Sequence, residues 1–107
     1  MEDYVTLERS DDTMIVRFDR QGALNAFDQK MITELTDTAK LLAEDLTVRS
    51  VVLTGASAAF SSGIDLKDAQ NWDLEAMNDL EIRRRFYRGV RLCQAWEDLP
   101  QITIAAA

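Results

Sequence analysis

Apolar and polar positions change period along this chain, and each change marks an element. Tyr4 to Glu8 alternate and are rich in strand formers, Asp11-Asp12 reads as a turn, and Thr13 to Asp19 alternate again with Met14, Val16 and Phe18 on one face. Two alternating runs joined by polar residues predict an antiparallel hairpin. Arg20-Gln21-Gly22 breaks the pattern. Asp28 is placed to cap a helix in which Met31, Ile32, Leu35, Ala39, Leu42 and Ala43 recur at three- and four-residue spacing as one apolar stripe. Ser50 to Thr54 is continuously apolar at its centre, which predicts a short strand covered on both faces.

Gly55 to Gly63 is a loop of small residues interrupted by Phe60. A short helix is expected over Asp65 to Gln70, a polar break over Asn71 to Asp73, and a longer helix over Leu74 to Leu99 that Pro100 ends. Its stripe is Ile82, Phe86, Val90, Cys93 and Trp96, which places Cys93 as an inert buried thiol. Trp72, Phe86, Tyr87 and Trp96 are expected in the core or at an interface. Leu99 to Ala107 reads as a strand just starting. A chain stopping there would leave backbone groups and apolar surface uncovered, so an excerpt of a longer protein, or one half of a two-piece assembly, is expected. The order strand, strand, helix, strand, helix, strand, without repeats or low-complexity tracts, predicts one α/β unit.

Composition narrows the chemistry. The 107 residues are 47% apolar and 29% charged, ordinary for a globular domain. A net charge of −7, from 19 acidic and 12 basic residues, argues against nucleic-acid binding. The single Cys93 cannot build a disulfide framework and fits a reducing compartment, and no leader or spanning run is seen, so a cytoplasmic protein with no membrane partner is expected. With no histidine, a zinc site or a Ser-His or Cys-His pair cannot be built from this chain, and no metal site is expected. There is no G-x-S-x-G elbow, and the small-residue loop lacks the Lys-Ser/Thr ending of a phosphate-cradling loop.

What remains is backbone chemistry. A short apolar strand delivers the chain into a loop, and Ser62-Gly63 allows a sharp turn before Asp65-Leu66-Lys67. Backbone N–H groups at such a junction lack intrahelical partners and can point at an anionic oxygen. Donors gripping a thioester oxygen would stabilise an enolate. On these grounds alone the loop reads as a plain connector, since any loop with Ser and Gly before a helix offers free donors.

Three segments, in order, resemble the enoyl-CoA hydratase/isomerase (crotonase) family. They are Gly22-Ala23-Leu24-Asn25-Ala26-Phe27; Arg49-Ser50-Val51-Val52-Leu53-Thr54-Gly55 with Ala59-Phe60-Ser61-Ser62-Gly63-Ile64-Asp65-Leu66-Lys67; and Leu99-Pro100-Gln101-Ile102-Thr103-Ile104-Ala105-Ala106. The middle segment is the specific one. The resemblance implies a crotonase-like α/β fold of repeated β-β-α turns, with residues 1–107 as the N-terminal part of one domain whose second half lies outside this chain.

The resemblance also implies roles. The first oxyanion donor would be the backbone N–H of Ile64, after the motif glycine Gly63, and the other donor and the acid/base carboxylates would lie beyond Ala107. Ala23, Leu24, Ala26, Ser62, Ile64, Asp65, Leu66 and Lys67 would line the acyl-CoA site, with Lys67 either meeting phosphate or lying solvated. Asn25 would tie the loop together. Asp65 reads otherwise as a helix N-terminal acid. Arg84, Arg88 and Arg91 share a helix face, either solvated and paired with Glu81, Glu97 or another subunit, or meeting a CoA phosphate. The implied activity is enoyl-CoA hydration or enoyl/dienoyl-CoA isomerisation. Gly63-Ile64-Asp65-Leu66 resembles the dienoyl-CoA isomerases in particular. The piece alone would be inactive, the assembly a homotrimer or hexamer, and no cofactor is implied beyond the coenzyme A of the substrate. The rival reading is a non-catalytic acyl-CoA-binding or scaffold member of the fold.

Overall fold

The computed structural model describes residues 4–56, 59–65, 67 and 74–107. The hairpin forms as expected from the alternation: β1 (Val5–Ser10) pairs antiparallel with β2 (Thr13–Phe18), and Asp11 takes the left-handed turn position at φ 55°. Asp28 caps α1 (Gln29–Glu44), its carboxylate accepting from the Met31 N–H at 2.8 Å. The apolar stripe of α1 is buried at Met31, Ile32, Leu35, Ala39 and Leu42. From α1 the chain enters β3 (Ser50–Gly55), which runs parallel to β2, and β4 (Ile102–Ala106) runs parallel to β3, giving the sheet order β1-β2-β3-β4.

Register puts Val5, Val16, Phe18 and Val51 on the sheet face that packs on α1, and these side chains join the α1 stripe, Val48, Leu92 and Leu99 in one core. Burying such side chains contributes about 1.5–3 kcal/mol each. The opposite face carries the row Glu8, Ile15, Val52 and Ile104, in which Val52 is half-buried and Ile104 is 51% exposed. β3 is therefore covered on one face, not on both: α1 shields one side, and no described element shields the other.

The second helix departs from its expected bounds. Leu74–Ala76 form a 3-10 turn, Asn78 supplies the cap through its side chain to the Glu81 N–H, and α2 spans Asp79–Glu97. An asparagine oxygen satisfies an orphan N–H there, so the helix begins at the cap rather than at the first apolar residue. Its buried side is also different. α2 packs on α1 through Leu92, Ala95 and Trp96, while Phe86, Val90 and Cys93 from the expected stripe are exposed. Trp96 donates its indole N–H to the Leu35 carbonyl at 3.1 Å, and Arg88 reaches the Thr33 hydroxyl. Tyr87 is exposed. Trp72, most of the expected Asp65–Gln70 helix and the Asn71–Asp73 break lie outside the described residues.

Candidate functional site

Two loops leave the C-terminal ends of the adjacent parallel strands β2 and β3, the place where open parallel sheets leave a crevice. One Phe ring organises both. Phe18, at the end of β2, meets Phe27 and Phe60 edge-on, each with centroids 5.2 Å away. The loops are then stitched together by polar groups. Asn25, fully buried, accepts from the Arg20 N–H at 2.7 Å and donates to the Ala59 carbonyl at 2.8 Å, while its own carbonyl accepts from Ser61 Oγ at 2.8 Å. It is the tie in the loop that its position suggested. Leu24 and Asn25 both hold left-handed backbone, φ 51° and 56°, a sparse conformation that these bonds enforce.

The second loop packs its N–H groups away one after another. Ser62 N–H donates to the Leu24 carbonyl at 3.0 Å, Gly63 N–H to Ser61 Oγ at 3.1 Å, and Asp65 N–H to the Phe27 carbonyl at 2.9 Å. The Gly63 carbonyl accepts from Phe27 N–H at 2.7 Å, so Ile64 forms a parallel bridge with Phe27. Between Ser62 and Asp65, only the Ile64 N–H has no hydrogen-bond partner among the described residues. Carbonyl 63 and N–H 64 belong to one trans peptide plane, so tying the carbonyl to Phe27 aims the N–H the other way. Gly63 sits at φ +94°, a conformation other residues rarely adopt.

A cleft of about 770 Å³ opens between the loops. It brings together Ala23, Leu24, Ala26, Ser62, Ile64, Asp65 and Lys67, all from the sequence-derived set, and adds Arg20 and Lys30. Leu66 lies outside the described residues. Leu24, Ile64 and Lys67 are exposed, whereas Asp65 is buried. Its Oδ2 accepts from Arg20 Nη1 at 2.8 Å and its Oδ1 from the Lys67 N–H at 2.8 Å. Those two bonds, the arginine first, hold the Asp65 carboxyl below the usual carboxylate range. Asp65 is thus an ion-pair partner beside the turn at Lys67, and the helix it was expected to open falls on residues outside the described ones. Arg20, which the sequence marks only as a break in alternation, is the residue that reasoning missed; nothing local links it to a carboxylate 45 residues on. The arginines of α2 lie elsewhere: among the described residues, Arg84, Arg88 and Arg91 form no ion pair, and none of them lines the cleft. No three His, Cys, Asp or Glu side chains are grouped to hold a metal among the described residues.

Residues 8–107 match the family model for enoyl-CoA hydratase/isomerase. The chain belongs to that family. A probable mitochondrial enoyl-CoA hydratase of Dictyostelium discoideum is 31% identical over 98 residues, covering 91% of this chain and 31% of that protein. The mitochondrial enoyl-CoA hydratase of Pongo abelii is 40% identical over 57 residues, 53% of this chain and 20% of its own length. The crystal structure of an enoyl-CoA hydratase from Mycobacterium smegmatis superposes with a TM-score of 0.83 at 29% identity, covering 97% of this chain and 39% of that one. The four-stranded sheet and its helices are therefore a crotonase-type α/β fold, and the chain spans under half the length of these relatives.

Proposed function

We propose that this chain supplies the acyl-CoA-binding half of an enoyl-CoA hydratase or enoyl/dienoyl-CoA isomerase, with the Ile64 N–H as one oxyanion donor. The observation that carries the reading is that N–H: partnerless among the described residues, on a residue that lines the cleft, and held there by a bonded neighbour on each side. A thioester carbonyl docked there accepts its hydrogen bond. As water adds to the conjugated double bond, or as a proton leaves carbon, charge collects on that oxygen and the bond strengthens. The second donor and the carboxylates that move protons come from outside these 107 residues. Ala23, Leu24 and Ala26 form the wall beside the pantetheine and nucleotide, and Lys67 faces phosphate. The coenzyme A of the substrate supplies the activation, and no further cofactor enters.

A non-catalytic acyl-CoA-binding protein would keep the same loop, but the family match and the relatives named as hydratases favour the enzyme. We place the assembly at three or six copies in a reducing compartment, with the exposed apolar side chains of α2 and the lone cysteine as support. Among the described residues no helix is long and apolar enough to cross a membrane.

The test uses the intact protein that carries this chain. Gly63→Val forces a β-branched residue into φ +94°; it should lower kcat on a 2-enoyl-CoA by roughly 10²–10³-fold, with acyl-CoA affinity by calorimetry nearly kept. Lys67→Ala should weaken acyl-CoA binding about two- to fivefold, and less at high salt. A folded Gly63→Val protein that turns over like the parent would show the donor to be placed wrongly.

A further inference from the structure

Arg20 is bonded on several sides within the cleft, and the site as described gives it no task. Its Nη1 donates to the Ala26 carbonyl at 2.9 Å and to Asp65 Oδ2 at 2.8 Å, and its Nη2 lies 3.5 Å from Asp28 Oδ2. Its guanidinium carbon stands 5.3 Å from the Tyr4 ring centroid, and its backbone N–H is taken by Asn25. The side chain is only 19% exposed and that of Asp65 only 11%, so the charge-assisted bonds are partly shielded from water.

The places it grips decide what it does. Ala26 precedes Phe27, and Asp65 follows Ile64. Arg20 therefore cross-links the two sides of the Phe27–Ile64 bridge, one residue out on each strand of it. The peptide between Gly63 and Ile64 carries the free N–H, and a glycine at positive φ is the residue whose neighbouring peptide can rotate at least steric cost. The Phe27 N–H to Gly63 carbonyl bond opposes that rotation only while the two segments stay in register. We propose that Arg20 is a positioning residue for the oxyanion donor, locking the loop pair so that the Ile64 N–H keeps its direction toward the thioester oxygen. The inference rests on the oxyanion reading of Ile64. The planar fork matters: Nη1 takes the Ala26 carbonyl and Asp65 while Nη2 faces Asp28, and a lysine at position 20 has all its donors on one nitrogen and cannot span both sides in the same way.

The test reads the donor directly. The intact protein is loaded with a saturated acyl-CoA bearing ¹³C at the thioester carbonyl, and the carbonyl stretch is recorded by difference infrared or Raman spectroscopy. The parent should show a downshift from the free ligand. Arg20→Ala should lose at least half of that downshift while its calorimetric Kd for the same acyl-CoA stays within about threefold; Arg20→Lys should fall between. On a 2-enoyl-CoA, kcat should drop by on the order of 10²-fold with KM little changed. A full downshift in folded Arg20→Ala overturns the positioning role and leaves the oxyanion reading standing. So does a kcat loss no larger than the loss of folded protein. If Arg20→Ala does not fold, Asp65→Asn, which keeps size and removes the charge paired with Arg20, decides by the same spectrum. Absence of any downshift in the parent removes the oxyanion reading itself, and the positioning role with it.

Discussion

At the residue scale, glycine is required at some of its positions and not at others. A Cβ on Gly55 would stand 2.1 Å from the Ala59 carbonyl oxygen, which Asn25 also holds. Gly55→Ala must push that carbonyl off, so it should destabilise the intact protein by about 1–3 kcal/mol. At Gly89, within α2, a methyl group would meet nothing within 4 Å; Gly89→Ala should stabilise by about 0.5–1 kcal/mol. Urea midpoints read both, with opposite signs. Asp65 adds a pH signature. Its folded pKa lies below the unfolded value, through Arg20 first and the Lys67 N–H second. The unfolded chain therefore takes up the proton first as pH falls: the contribution is whole above the unfolded value of about 4 and is lost as pH drops through the folded one. Asp65→Asn should flatten the acid limb of stability below about pH 4. The flattening is partial, because Asp45, held low by the Thr47 hydroxyl and N–H, titrates in the same window. The family resemblance made Gly63 and Ile64 visible as candidates. It did not reveal Arg20, because an ion pair across 45 residues leaves no local pattern.

At the element scale, α1 and α2 show what periodicity can and cannot say. In α1 the apolar residues make one stripe, and that stripe is the buried one. In α2 the chain offers two flanks at helical spacing, Ile82-Phe86-Val90-Cys93-Trp96 and Leu92-Ala95-Trp96, which share Trp96. Period identifies a helix but does not choose between flanks; packing on α1 chose the second, aided by Trp96 on the Leu35 carbonyl and Arg88 on Thr33. Leu92→Ala should thus cost about 2–5 kcal/mol, whereas Val90→Ala should be small unless another subunit covers it. Thermal melts of both variants separate the flanks. The caps differ as well. Asn78→Ala should cost about 1 kcal/mol. Asp28→Ala should cost more, because the same carboxylate also lies 3.5 Å from Arg20. The order of elements along the chain was legible from periodicity, and the resemblance implied the fold; the sheet order itself comes from the structure. One-sided cover of β3 was not, since a short apolar run looks the same whether one face or both are covered.

At the scale of the whole molecule, the surface and the core do not match. One face of the sheet is closed by α1, yet all five residues of β4 are exposed, Ile102 to 70%, and β4 is an edge strand with its outer backbone groups unpaired by any described element. Leu80, Phe86, Tyr87 and Val90 add an apolar flank on α2. An apolar, uncharged edge strand is a template for pairing with another chain, and patches of this kind call for cover. The 107 residues expressed alone should therefore self-associate and bind a hydrophobic dye such as ANS. Ile104→Lys should suppress both, because a charge on an edge strand opposes edge-to-edge pairing. The same substitution in the intact protein should instead destabilise it, since there the strand is expected to be covered and a lysine buried against apolar neighbours pays for desolvation. Sedimentation velocity on the short chain and thermal melts on the intact protein give the two readings. If the short chain sediments as a monomer and melts in one sharp transition, the exposed strand needs no cover, and these residues form a self-sufficient unit.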